Sequence, residues 1–165
     1  MNAGSPHRYA TRLVWEGNLG AGTSVYTGYS RRFRVSVDNK PDFSGSADPA
    51  FRGEPDLLNP EDLLVASLSS CHMLAYLALC ARQGVTVLGY TDEAHGVMTV
   101  SPVGGGKFES VTLHPCVTIT DPAMQTRAVD LHERAHALCF IASSCSFPVR
   151  NLPTVVVQDA LETAQ

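Results

Sequence analysis

Residues 63–81 form a run without a single Asp, Glu, Lys or Arg, entered through Asn59-Pro60-Glu61-Asp62 and closed by Gly84. Nothing else in this 165-residue chain constrains its fold so strongly. Asn59 suits a helix N-cap, Pro60 the first helical position, and Glu61 and Asp62 the positive end of the helix dipole. Gly84 is a natural C-terminal stop. The spacing predicts a helix of about 24 residues, about 36 Å long at 1.5 Å per residue. A globule of this size has a radius of gyration of about 15 Å, so such a helix crosses most of the domain. It is apolar nearly all round and has to be covered on every side. One short chain does that poorly alone, which points to a second subunit. The run approaches the roughly 20 residues that span a bilayer. However, Ser67, Ser69, Ser70 and His72 sit in its middle, and no Trp marks either end. A buried helix is the better reading, and no membrane association is expected.

Composition agrees with a single packed domain over residues 1–165. Hydrophobic residues make up 44% and charged residues 17%, enough to build a core and too apolar for a disordered chain. The net charge of −4 disfavours nucleic acid as a partner. Five cysteines with no CxxC spacing read as reduced thiols in a cytoplasmic protein rather than a secreted disulfide scaffold. Residues 1–10 are polar, so no signal peptide is expected.

Around the long helix the pattern is β-rich. Residues 9–16 and 25–29 carry β-branched and aromatic side chains, and residues 31–38 alternate, with Phe33, Val35 and Val37 on one face. Residues 40–58, with three prolines and two glycines, read as loop. After Gly84, strands are expected over residues 85–100, 108–120 and 154–158, with a turn at 104–106. A second helix is expected over residues 122–142. The order amounts to an α+β domain.

Chemistry enters with Cys71, placed between Ser70 and His72 in the middle of the long helix. A lone helical cysteine is usually a small buried hydrophobe. Here polar residues surround it inside an apolar helix, and buried polar groups need partners, so polar groups from elsewhere in the fold should converge there. Cys139 has a similar setting, after His136 and before Ser143 and Ser144.

These residues resemble a known family. Asn59-Pro60-Glu61-Asp62-Leu63-Leu64 followed by Ser70-Cys71 is similar to the NPE(E/D)L…(A/S)C signature of the OsmC/Ohr family, and His136-x-x-Cys139 to its second cysteine site. Trp15-Glu16-Gly17 fits as well, and the resemblance spans roughly residues 9–158. It implies an intertwined homodimer with long central helices packed between wrapped sheets. It also implies a cysteine peroxidase for organic hydroperoxides that uses no metal or other cofactor. Cys71 would attack the peroxide, Cys139 would resolve the sulfenic acid as a disulfide, and a dithiol such as a dihydrolipoyl group would reduce it. The family follows its second cysteine with Pro, whereas Phe140 stands here, and Cys145 competes for the resolving role. Cys80 and Cys116 read as structural.

Only a thiolate attacks peroxide, and a thiol with a pKa of about 8.5 is only slightly ionised at pH 7. Cys71 lies about three turns from its helix N-terminus, beyond the reach of the dipole, so a cation is needed. The resemblance implies an Arg held by Glu61. Arg52, nine residues before Glu61, matches the OsmC-type position after a one-residue shift, and Arg31 is the alternative. Ten residues along one helix separate Glu61 and Cys71 by about 15 Å. The two are therefore expected to act together only across two copies of the helix.

Two other function classes fit parts of the sequence. His132-Glu133-Arg134-Ala135-His136 spells HExxH, which on a helix can bind zinc. The remaining carboxylates for a third ligand are Asp159 and Glu162 near the C-terminal end, and His132 is expected at the surface. The other class is a non-enzymatic redox sensor or small-ligand binder of the same fold.

Overall fold

The computed structural model describes residue 4 and residues 6–158; Asp159 and Glu162 lie outside them. The chain divides into two compact units, Met1–Leu63 and Leu64–Gln165.

The first unit holds an antiparallel sheet of β1 (Arg12–Trp15), β2 (Phe33–Ser36) and β3 (Phe43–Gly45), in that order. Residues 25–29, expected as a strand, form turns instead. Residues 40–58 are not all loop: they contain β3 and a short 3-10 turn at Pro49–Phe51. Gly17 is required by close approach, because a Cβ there would strike the Ser30 carbonyl and the Trp15 indole nitrogen.

The long helix, α1, spans Pro60–Arg82. Its start is a reciprocal cap: Asp62 N–H donates to Asn59 Oδ1 at 2.7 Å and Asn59 N–H to Asp62 Oδ2 at 3.2 Å. Its end is closed by Gly84 at φ +74°, with Val85 N–H reaching back to the Cys80 carbonyl at 3.0 Å. Within one chain α1 is not covered on all sides. Leu68, His72, Tyr76, Leu79 and Cys80 are buried, while Leu74 is 64% exposed. α1 is long and apolar enough to cross a membrane, but its inward face carries His72 and Tyr76 into the core.

The second unit adds two mixed sheets. β4 (Val87–Asp92), β7 (Pro115–Ile119) and β9 (Thr154–Val157) form one, with β7 central. β5 (His95–Val100), β6 (Gly106–Leu113) and β8 (Val149–Asn151) form the other, with β6 central. The two long strands expected over 85–100 and 108–120 are thus each broken in two. Asp92 explains the second break: its Oδ1 takes the His114 N–H at 2.7 Å, and Pro115 has no N–H to offer a ladder. The second helix, α2, is shorter than expected, Gln125–Leu138, flanked by 3-10 turns at Pro122–Met124 and Ala142–Ser144. It packs Ala128, Leu131 and Ala135 against Tyr76, Leu79, Val117, Ile119 and Val155.

Candidate functional site

In the second unit, α1 and α2 bring two sulfurs together. Cys71 sits half-buried at mid-helix, and Cys139 is the C-cap of α2, 1% exposed. Burial first, and a hydrogen bond to Cys71 second, push the Cys139 thiol up to about 11. Cys139 therefore keeps its proton in the reduced state, where its S–H can serve the Cys71 sulfur. The Ala142 N–H donates back to Cys139 Sγ at 3.4 Å. Cys145 uses the other edge of the same peptide, its thiol donating to the Ile141 carbonyl at 3.3 Å. A trans peptide points its N–H and C=O in opposite directions, so that peptide lies between Cys145 and Cys139. Cys80 is buried in the core, whereas Cys116 is exposed.

Cys71 opens into an apolar cavity of about 480 Å³ walled by Leu74, Ala75, Leu138, Phe140 and Ile141. Phe140, where the family pattern has Pro, is 83% exposed at its rim. Ser67 and Ser70 also line it, but their hydroxyls turn back to the helix carbonyls of Leu64 and Ala66 at 2.7 and 2.8 Å. Among the described residues, the expected convergence of polar groups is met by Ser69, which donates to Asp92 Oδ2, and by His72, which meets His132.

His72 meets His132, with Nε2 and Nδ1 3.0 Å apart and both residues almost fully buried. His132 is therefore not a surface residue. It stacks on Tyr76 with centroids 3.8 Å apart, and the Tyr76 hydroxyl donates to the Ala128 carbonyl at 3.1 Å. Burial, then the charge of His72, push His132 down to about 3; burial and then His136 lower His72. Within HExxH, His132 thus points inward at another ring, and Glu133 is exposed. Among the described residues no group of three His, Cys, Asp or Glu side chains is arranged to hold a metal ion.

The first unit holds the charged residues. Arg31 lies 4.0 Å over the Tyr29 ring and 4.6 Å over the Tyr26 ring. Its Nη1 and Nη2 donate to the Tyr29 and Tyr26 carbonyls at 2.6 and 2.7 Å. With Trp15, Phe33, Phe51 and Glu61 it lines a pocket of about 320 Å³. Arg52 is placed differently. It is the exposed cap of the 3-10 turn, in a left-handed conformation at φ 69°, and its side chain makes no hydrogen bond or ion pair among the described residues. The tyrosine holder escaped sequence reading because residues 25–29 looked like a strand; the Tyr26/Tyr29 spacing ahead of Arg31 was the available signal.

Comparison with known proteins places these features in context. The model of the OsmC-like protein family matches residues 53–150. The fold is similar to an OsmC-like protein of unknown function from Vibrio cholerae, at 29% identity and TM-score 0.79 over 90% of this chain and 100% of that one. It is also similar to an organic hydroperoxide resistance protein from Elizabethkingia anophelis, at 20% identity and TM-score 0.66 over 93% of this chain and 99% of that one. A third is the organic hydroperoxide resistance protein OsmC from Legionella pneumophila, at 19% identity and TM-score 0.65 over 93% of this chain and 100% of that one. A search of curated proteins finds no significant match.

Proposed function

The chain belongs to the OsmC-like protein family, and on that premise we propose that it is a thiol-dependent peroxidase reducing organic hydroperoxides. The observation that carries the reading is the Cys71–Cys139 pair: burial first and Cys71 second hold the Cys139 thiol protonated, and the half-buried Cys71 opens into an apolar cavity. Because Cys139 holds its proton, Cys71 is the nucleophile. Its thiolate attacks the distal oxygen of the hydroperoxide. The O–O bond breaks, an S–O bond forms, and the departing alkoxide takes a proton to leave as the alcohol. Cys71 is then a sulfenic acid. Cys139, deprotonated for the step, attacks the Cys71 sulfur, hydroxide departs as water, and a disulfide forms. An external dithiol of the dihydrolipoyl kind reduces it by exchange and is itself oxidised to a disulfide. The apolar wall favours greasy hydroperoxides over hydrogen peroxide.

Arg31 is assigned the activating charge, because its guanidinium is already held in a pocket that Glu61 shares; exposed Arg52 is the alternative. Since Glu61 and Cys71 are about 15 Å apart on one helix, the Arg31–Glu61 half of one copy is proposed to serve the cysteines of another in a homodimer. The open apolar face of α1 supports that partner. A cytoplasmic location is part of the same proposal, since five cysteines without CxxC spacing suit a reducing compartment.

The test is cumene hydroperoxide consumption with dithiothreitol as reductant. Catalytic turnover by the wild type and none by Cys71→Ser are expected. One stoichiometric oxidation without turnover would identify a redox sensor instead, and untouched peroxide would refute the assignment.

A further inference from the structure

Arg31 is held at both ends. Tyr26 and Tyr29 fix the guanidinium, and the side chains of the two residues that flank Arg31 are gripped by a different residue, Glu54. Glu54 Oε1 accepts from Ser30 Oγ at 2.9 Å and from Arg32 Nε at 3.3 Å, and Oε2 accepts from Arg32 Nη2 at 2.6 Å. Ser30 and Arg32 are the residues immediately before and after Arg31, so one carboxylate binds both of its neighbours. The two oxygens meet Arg32 side by side, a geometry that fixes direction as well as distance.

Glu54 is itself anchored. Its N–H donates to Ser46 Oγ at 3.1 Å; Ser46 is fully buried, and its own N–H donates to the Leu58 carbonyl at 3.0 Å. The hydrogen bond from Arg32, then that from Ser30, hold the Glu54 carboxyl below its ordinary range. The backbone of Ser30 is tied separately: its carbonyl accepts from Trp15 Nε1 at 2.9 Å, and its N–H donates to the Gly17 carbonyl at 3.0 Å. The segment carrying Arg31 is thus tied to Trp15 and Gly17 through Ser30 and to a carboxylate through Ser30 and Arg32. Glu61 shares the Arg31 pocket but makes no hydrogen bond with it among the described residues.

We propose that Glu54 is a positioning residue for the Arg31 guanidinium, holding the two residues that flank it so that the cation is presented in one place. The proposal rests on reading Arg31 as the activating cation of the peroxidase. A catalytic group displaced by about 1 Å costs on the order of 100-fold in rate. The effect should fall on peroxide attack, which needs the guanidinium, and spare disulfide reduction, which does not.

The test measures the two half-reactions separately: oxidation of reduced protein by cumene hydroperoxide, and reduction of the Cys71–Cys139 disulfide by dithiothreitol. Glu54→Ala should slow oxidation about 10- to 100-fold and leave reduction within about twofold. Glu54→Gln, which keeps an acceptor for Ser30 and the local shape, should recover part of the loss. Oxidation by Glu54→Ala within about twofold of wild type, while Arg31→Ala slows it about 100-fold, would overturn the proposal and leave the peroxidase reading standing. Equal loss of both half-reactions in Glu54→Ala and Glu54→Gln would also overturn it, as a general structural effect. An Arg31→Ala protein with unchanged oxidation would remove both the proposal and the assignment of Arg31.

Discussion

Mild acid should loosen this fold through its buried histidine pair. His132 is 1% exposed, and its folded value lies at about 3 against 6.5 for the free side chain. Below pH 6.5 the unfolded chain takes up a proton that the fold refuses, so stability falls as pH falls, and the loss continues down to the folded value. Each pH unit in that window costs about 1.4 kcal/mol per histidine. Between pH 7 and pH 5 His132 alone accounts for about 2 kcal/mol, which is about 4–8 °C in the melting midpoint of a chain this long. His72 is lowered for the same first reason, burial, and adds in the same direction. The assay is urea unfolding at pH 7, 6 and 5. His132→Phe keeps a ring to stack on Tyr76 and removes the titration. It should be less stable at pH 7, because His72 Nε2 loses its partner, yet its fall from pH 7 to pH 5 should be smaller than that of the wild type by about 2 kcal/mol. Identical pH slopes for the two proteins would refute the reasoning.

Three further outcomes are expected. Arg31→Ala should reduce peroxide turnover by about 100-fold or more, in the range of losing a preorganised charge, whereas Arg52→Ala should stay within a small factor of wild type in the same assay. Cys139→Ser should still be oxidised once by cumene hydroperoxide and accumulate a sulfenic acid at Cys71, seen by mass spectrometry after trapping with dimedone, but should form no intramolecular disulfide. Exchange of subunits between inactive Cys71→Ser and Glu61→Ala proteins should restore part of the peroxidase rate; mixtures as inactive as their parents would argue against a site shared by two copies.

The extent to which the sequence was legible follows the range of the interactions involved. α1 could be read because its signals are local: Asn59 and Asp62 cap each other three residues apart, and Gly84 closes the helix two residues beyond its end. Cys71 stood out because polar residues interrupt an apolar helix there, and Cys139 because His136 stands three residues before it. Residues 25–29 were misread because strand-like side chains at a turn are held by what they pack on, here the Arg31 guanidinium. The long strands were misread because the second break, at His114, depends on Asp92, 22 positions away.

His132 shows the same limit from the other side. Its HExxH spacing is a local pattern that suits zinc, but its environment is set by His72 and Tyr76 on another helix. By itself the sequence determined a capped helix with an uncharged middle that carries a cysteine, a second cysteine near the end of a later helix, and a family signature that joins them. Tertiary structure decided which arginine is held and by what, that the Cys145 thiol turns to the Ile141 carbonyl, and that the inward histidines pair with each other. Helix caps and periodicity arise from neighbours in the chain, whereas partners of buried polar groups are chosen by packing between segments far apart in it.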